Sequence, residues 1–600
     1  MLKNLNNILI NVQNPARYIG GEINTPTIDH NSRVKFCMLS PKLYEQGMND
    51  IKFLTIYHKV NDRKGMSAER AFAPWLDFAS LIRKNNILLY SLESKKPLCE
   101  FDLLGVSLNY VNDFTTLLYM LDLGGVKLET KTRGENDPFV FGIGDACVNP
   151  EVTASFLDFV ILGDAEDVIL SVINCLNSCK TNKLSREETL KELSKLSSVY
   201  VNCENYKVYN KKGAFVGFSS SKVRKAVSQD LDRAYYPTVL QVPNIKTNAD
   251  SVKIEPIRGC TRGCRFCMHG FISRPIRERR VSSLSSETIS GVTSTGYQII
   301  ESTSECLGDY SKLNALLSEM NDICNEKSAK FMMPEFDDAG NFSDFITLEN
   351  PDTLKVTLEA GSIDLRKKIN KILSDERIEK GLELAFKAGY KKVKLYFMIG
   401  LPFETGKDLL AIVELAKKVK KLYQKNKSSS KPLYLSCVIS NFVSKPFTPF
   451  EWVECISKIE AEKRFKFIKT ALKKFNIRAV LYSPEFSEVE AVLSRGDKVV
   501  SDAVIKAYKY GAIFDRNKKL FNYNAYSRAF KDCGVNVNKE LSRRDMDAVL
   551  PWDNVDMLVS KEYLLSEFEK AKNGIITPDC RNGCKMCGAS DMGVCKHGNL

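Results

Sequence analysis
The chain has 600 residues, 44% hydrophobic and 27% charged, with a formal net charge of +14. These proportions fit a globular protein of about three or four domains and exclude a disordered chain. No run reaches ~18 apolar residues, which argues against a membrane span, and the opening residues lack a signal-peptide pattern. The positive charge permits a nucleic-acid partner but reads first as solvated lysines.

Residues 1–32 read as an irregular lead-in. From 33 to 180 strands alternate with helices. VKFCML is a buried strand, and a helix spans Ile51 to Lys59. Phe101–Leu108 and Pro138–Gly144 are strands, and Asp158–Leu176 holds a strand, a tight turn and a helix. The alternation predicts a Rossmann-like, doubly wound parallel sheet. Its ligand edge would be the loops after Leu39, Leu108, Gly144 and Gly163. His58 reads as a surface or packing residue. Residues 181–250 read as a connector with a Lys/Glu-rich helix near Arg186.

Alternation returns from 251 to 455. Strands at Ser251–Pro256, Tyr297–Ser302, Thr353–Gly361, Lys391–Gly400 and Leu433–Ser440 are separated by helices. This predicts a full or partial β/α barrel of the TIM type, with its active site at the carboxyl ends of the strands. Residues 456–570 read as a mostly helical C-terminal domain, and 571–600 as a cysteine-rich tail.

Cys260, Cys264 and Cys267 follow the first barrel strand in the order C-x3-C-x2-C. Three thiolates on one loop suit an iron–sulfur cluster and leave one iron of a [4Fe-4S] cubane open. A structural zinc site is the alternative, but it wants four ligands, and the nearby His269 is the lone candidate for a fourth. The tail repeats the spacing at Cys580, Cys584 and Cys587, with Cys595 and His597 close behind. That set reads as a second metal site, zinc or iron–sulfur. With 18 cysteines and no secretion signal, the chain reads as cytoplasmic, with metal-bound thiolates.

C-x3-C-x2-C with Phe266 before the last cysteine resembles the signature of radical S-adenosylmethionine (SAM) enzymes. The resemblance implies a [4Fe-4S] cluster on Cys260, Cys264 and Cys267, with SAM on the open iron. It also implies a reductant such as flavodoxin or ferredoxin. Leu358–Lys371 resembles a SAM-contacting loop, with Glu359, Ser362 and Arg366 as contacts; Met398–Thr405 resembles a turn in which Gly400 and Pro402 approach the adenosine. Phe266 joins them as a SAM neighbour. The N-terminal sheet resembles a cobalamin-binding domain through Ser107, Gly142, Gly144 and Gly163. No D-x-H-x-x-G loop is present, so cobalamin would bind without a protein histidine on cobalt. A domain that has lost cobalamin is the alternative.

From Ala16–Glu22 to the terminal cysteines, the chain resembles an uncharacterised bacterial family with this three-part layout. It departs from that family at Glu305 and Cys306, at Met333–Asp338 and at the GIGDA turn. Cys306 reads as a buried small residue, with an active-site thiol as the alternative. The implied activity is reductive SAM cleavage to a 5′-deoxyadenosyl radical, with cobalamin-dependent methyl transfer to an unactivated carbon as one outcome. A methylthiotransferase-like modification of RNA or protein and a non-catalytic metal scaffold are the other readings.

Overall fold
The computed structural model of the protein describes residues 2–592 and 595, apart from 30, 206, 210–214, 248–249, 333–352 and 428–429. The first sheet has six strands. From edge to edge they are Ser67–Phe72, Lys35–Ser40, Leu103–Ser107, Phe139–Ile143, Phe159–Ile161 and Val199–Val201. The first five run parallel and the last antiparallel. Central strands are buried on both faces, so they read as unbroken apolar runs. Helices Ile51–Asn61 and Ile169–Thr181 cover one face; Leu76–Lys84 and Phe114–Leu123 cover the other. The strand order reverses between Lys35–Ser40 and Leu103–Ser107, where such sheets open a crevice.

Strand Ser67–Phe72 is invisible to apolar patterning because SAERAF carries Glu69 and Arg70. Arg70 is fully buried, 2.9 Å from Glu22 and 2.7 Å from Glu93. A buried ion pair of this kind persists only when both charges find partners. It ties the lead-in to the sheet. The lead-in is not irregular throughout, because helix Leu2–Leu9 sinks Leu5, Ile8 and Leu9 into the core.

The barrel-type core has seven described strands in two parallel arcs. Val252–Ile254, Ile299–Ser302 and Lys330–Met332 form one arc. Leu354–Glu359, Lys392–Ile399, Tyr434–Asn441 and Arg478–Leu481 form the other. Helices Val281–Thr295, Leu313–Lys327, Asp375–Lys387, Gly406–Asn426 and Lys458–Lys473 alternate with them. Met333–Asp338 lies outside the described residues.

Three expected boundaries move. The last barrel strand, Arg478–Leu481, lies beyond the expected end at 455. The expected connector is built into the fold: Val199–Val201 completes the first sheet, and Val223–Arg224 pairs with Val555–Asp556. The C-terminal helices are not a separate domain. Pro484–Arg495, Lys498–Lys509 and Tyr523–Cys533 share one apolar cluster with Phe114–Leu123. Thr115 donates to Asp515 (2.6 Å), and the Asn149 amide donates to the carbonyls of Ser494 (3.2 Å) and Gly496 (2.8 Å).

Glu451 sits in this shared interior and accepts from the Phe447 amide (2.8 Å) and the Trp552 indole (2.9 Å). Burial pushes its pKa up to about 8, and the two donors only partly offset that. The folded state thus keeps a proton that the unfolded chain releases near pH 4–5, the ordinary range for Glu. The Glu451 contribution to stability is fully present below that range and is lost as pH rises toward 8, at up to ~1.4 kcal/mol per unit. We expect Glu451→Gln to flatten the fall in melting temperature between pH 5 and 8. Parallel pH profiles for the two proteins would refute this.

Candidate active site
The cysteine loop is a closed excursion. Its neck is a two-residue antiparallel ladder, Ile257–Arg258 against Arg277–Glu278. Gly259 begins the loop with φ +98°, and a Cβ there would lie 2.9 Å from the Ser273 carbonyl and 3.1 Å from that of Pro275. Only glycine fits so narrow a throat. Cys260 is buried, and its sulfur lies 3.3 Å from that of Cys306. The Cys306 contact lowers the Cys260 pKa to about 6. Burial raises Cys264 to about 11, partly countered by Lys371; it raises Cys267 further, with Cys264 adding to the shift.

The carboxyl edge of the first sheet grips the neck. Asp164, in the turn after Gly163, takes Arg258 at 3.0 Å and Arg277 at 2.5 Å. Arg258 also reaches Glu166 (2.5 Å) and Glu255 (2.7 Å). Asp145, after Gly144, stands 3.6 Å from His269, two residues beyond Cys267. Burial lowers the His269 pKa, but Asp145 and Glu305 outweigh it and the net shift is upward.

The four positions matched to cobalamin face the chain itself. Ser107 donates to Asp50 at 3.1 Å. A Cβ on Gly142 would meet the Cys147 sulfur and Leu157 at 2.7 Å. One on Gly144 would meet the Leu108 carbonyl at 2.5 Å, and one on Gly163 the Ala226 carbonyl at 2.2 Å. Close passage of the chain is one physical reason for glycine at these positions.

The strand ends behind the loop draw the expected SAM residues together in part. Phe266, Met398, Leu401, Phe403 and Phe442 lie in one apolar cluster with Ala360. Glu359 ends its strand with φ +64°, in electrostatic reach of Cys264. Gly400 has φ +75°, and its amide donates to Glu404 at 3.0 Å; Pro402 lies in the turn that follows. Ser362 caps helix Ile363–Lys368, accepting from the Leu365 amide at 3.1 Å. Arg366 departs from expectation. It is 1% exposed, donates to the Leu373 carbonyl (2.6 Å) and pairs with Asp375, so its fork closes its own loop.

Residues with no local signature do much of the positioning. Asn370 donates to the carbonyls of Arg262 (2.9 Å), Gly263 (3.2 Å) and Thr577 (3.1 Å), and accepts from the Thr577 amide (2.9 Å). One side chain thus clasps the cysteine loop, the Glu359–Lys371 segment and the tail. An asparagine just past a helix end, here with φ +56°, is the one hint that residue type could give. Arg265, between Cys264 and Cys267, is fully buried and reaches Glu567 at 3.1 Å. Asp309 holds Arg262 at 2.8 Å, and its carbonyl accepts from Arg581 at 2.5 Å. A cleft of about 420 Å³ opens there, lined by Arg262, Cys264, Lys371, Arg377, Asp579 and Arg581.

The tail therefore lies on the cysteine loop. The Cys580 amide approaches the Thr261 carbonyl at 3.4 Å. Cys595 and Cys587 stand in electrostatic reach of Cys580, whereas Cys584 is exposed. His597 lies outside the described residues.

A parallel barrel-type core with three cysteines on the loop after its first strand defines the class. The model described as the radical SAM superfamily matches residues 254–416, and one described as the N-terminal part of radical SAM proteins matches 52–202. The chain carries radical SAM domains over these two segments and is an enzyme of that kind. An uncharacterised protein of Methanocaldococcus jannaschii, MJ0966, is 29% identical over 460 residues, covering 76% of this chain and 91% of its own. Among solved structures, the radical SAM methyltransferase TsrM from Kitasatospora setae, with cobalamin and a [4Fe-4S] cluster bound, is 13% identical with a TM-score of 0.46, covering 70% of this chain and 77% of its own. The cobalamin-dependent radical SAM enzyme OxsB with aqua-cobalamin bound is 12% identical with a TM-score of 0.44, covering 94% and 85%.

Radical SAM domains imply a [4Fe-4S] cluster, SAM and a reductant. Among the described residues, no three His, Cys, Asp or Glu side chains converge at metal-ligand distances. The donor chemistry nonetheless fits a cluster. Three thiols share one short loop, and Cys267 is in electrostatic reach of both Cys260 and Cys264. No helix among the described residues is long and apolar enough to cross a membrane.

Proposed function
We propose that Cys260, Cys264 and Cys267 hold the cluster and that the strand ends around Phe266, Glu359, Gly400 and Pro402 hold SAM. The supporting observation is the convergence of Phe266, Met398 and Phe403 with Ala360 in one apolar cluster behind the cysteine loop. When bound, the reduced cluster and SAM supply a 5′-deoxyadenosyl radical that takes hydrogen from an unactivated carbon. The chain's residues position and enclose. Phe266, Met398 and Phe403 offer an apolar wall to the adenosine, and the positive φ at Gly400 turns the backbone beside it. Glu359 suits the ribose hydroxyls. Lys371 and Arg377, which line the cleft with Cys264, replace Arg366 as cations for the methionine carboxylate. Anaerobic reconstitution should give about four irons per chain and a reduced-cluster resonance that changes when SAM is added. Absence of iron would refute the assignment.

Cobalamin-dependent methyl transfer is a second reading, favoured by the facing of Asp145 and His269 across the sheet edge and the cysteine loop. Ser107 already donates to Asp50, and Gly142, Gly144 and Gly163 sit where the chain passes close. Titration with hydroxocobalamin decides the matter: uptake near one per chain would support this reading, and none would leave the sheet as a scaffold for the loop. For the tail, we propose that Cys580, Cys584, Cys587 and Cys595 bind a second metal, zinc or a cluster. A zinc and iron count separates these.

A further inference from the structure
We propose that Cys306 is a fourth thiol of the cluster site, ligating the open iron until SAM displaces it. This rests on the assignment of Cys260, Cys264 and Cys267 above. Cys306 follows strand Ile299–Ser302, the parallel neighbour of the strand that leads into the cysteine loop, so both loops leave the same edge of one sheet. Its sulfur is 3.3 Å from that of Cys260, and the two residues are 7% and 9% exposed. The ordinary role of a buried cysteine is that of a small hydrophobe. Cys306 and Cys260 are both buried and face one another outside the contiguous apolar clusters, although the adjacent Leu307 belongs to one.

The approach is held from several sides. The Thr303 amide donates to the Ile254 carbonyl at 2.8 Å. Ser304 accepts from the Ile257 amide (2.9 Å) and donates to the Ile257 carbonyl (2.7 Å). Beyond Cys306, Asp309 takes Arg262 in a two-bond fork (2.8 and 3.1 Å). Cys306 is thus fixed against the cysteine loop at both ends of its own turn.

Four thiolates complete the donor set of a closed cubane. Ligands of one cluster bind different irons, so loading must part the Cys260 and Cys306 sulfurs, and a rotamer change at Cys306 can do so. The exchange with SAM is redox-neutral. The iron–sulfur bond to Cys306 would break, the released thiolate would take the proton that the SAM ammonium gives up, and the freed amine and the carboxylate of SAM would bind in its place.

The test uses the full-length reconstituted protein, Cys306→Ala and Cys306→Ser, reduced with dithionite. Cyanide, a small ligand for an open iron, should shift the electron paramagnetic resonance spectrum of Cys306→Ala and leave that of the parent unchanged. Cys306→Ala should also bind SAM at least ~10-fold tighter, as follows if the thiol-ligated state holds nine tenths of the population. Cys306→Ser keeps the side-chain volume and reports in the same way if the alanine variant does not fold. Equal cyanide shifts and equal SAM affinity in parent and variants would overturn the proposal while leaving the three-cysteine site standing. Failure of the parent to load iron would overturn both.

Discussion

Cys264→Ala is expected to abolish SAM cleavage and to cut iron loading at the cysteine loop while the apoprotein keeps its fold. Cys264 lines the cleft beside Arg262 and Lys371, and its backbone carbonyl accepts from the Cys267 amide at 3.0 Å. That bond does not involve the side chain, so the loop's turn survives the substitution. Its thiol belongs to none of the apolar clusters, and removing it should cost about 1 kcal/mol or less. Losing Cys264, by contrast, removes a whole iron ligand, and the iron held at this loop should fall sharply, with any tail metal counted separately. Circular dichroism and thermal unfolding of the apoprotein supply the control. An iron-loaded, SAM-cleaving Cys264→Ala protein would refute the assignment of this residue.

Arg265→Met should have the second largest effect, through the loop and the tail together. The Arg265 guanidinium holds Glu567 and donates to the carbonyls of Lys367 (3.2 Å), Lys368 (2.9 Å) and Ile575 (2.7 Å). Arg265 and Glu567 are 0% and 1% exposed. Truncating one member of a buried, hydrogen-bonded ion pair strands the other and costs ~3–5 kcal/mol. Thr577 and Lys570 also contact Glu567, so the lower end of that range is expected. The loss should appear as a lower melting temperature, faster proteolysis after residue 573 and poorer iron loading. Unchanged unfolding and an intact tail would contradict it.

The contrast between these residues shows what the sequence could carry. Apolar runs and alternation announced strands such as Lys35–Ser40 and Leu354–Glu359, whereas the three-residue strand Val199–Val201 was too short to stand out, although its burial is apolar. Where burial rests on ion pairs, as at Ser67–Phe72, the pattern was silent. The cysteine spacing was readable because its ligands lie within one short loop. The clasp by Asn370, the tether at Asp309 and the partner Cys306 join segments far apart in the chain, and no local spacing encodes such contacts. Arg366 shows the reverse case: its residue type suited a carboxylate, but Asp375, nine residues on, already satisfies it. The glycines of the first sheet likewise mark close backbone passage without saying whether a cofactor or the chain itself passes. At Gly163 it is the chain, through Ala226.

The most direct measurement is 5′-deoxyadenosine formation by the anaerobically reconstituted protein given dithionite and SAM, beside Cys264→Ala treated identically. The arrangement of Cys260, Cys264 and Cys267 with Phe266, Glu359 and Gly400 predicts deoxyadenosine and methionine from the parent protein and only background from the variant. No deoxyadenosine from a parent protein carrying about four irons, or equal amounts from both proteins, would contradict a SAM-cleaving centre on this loop.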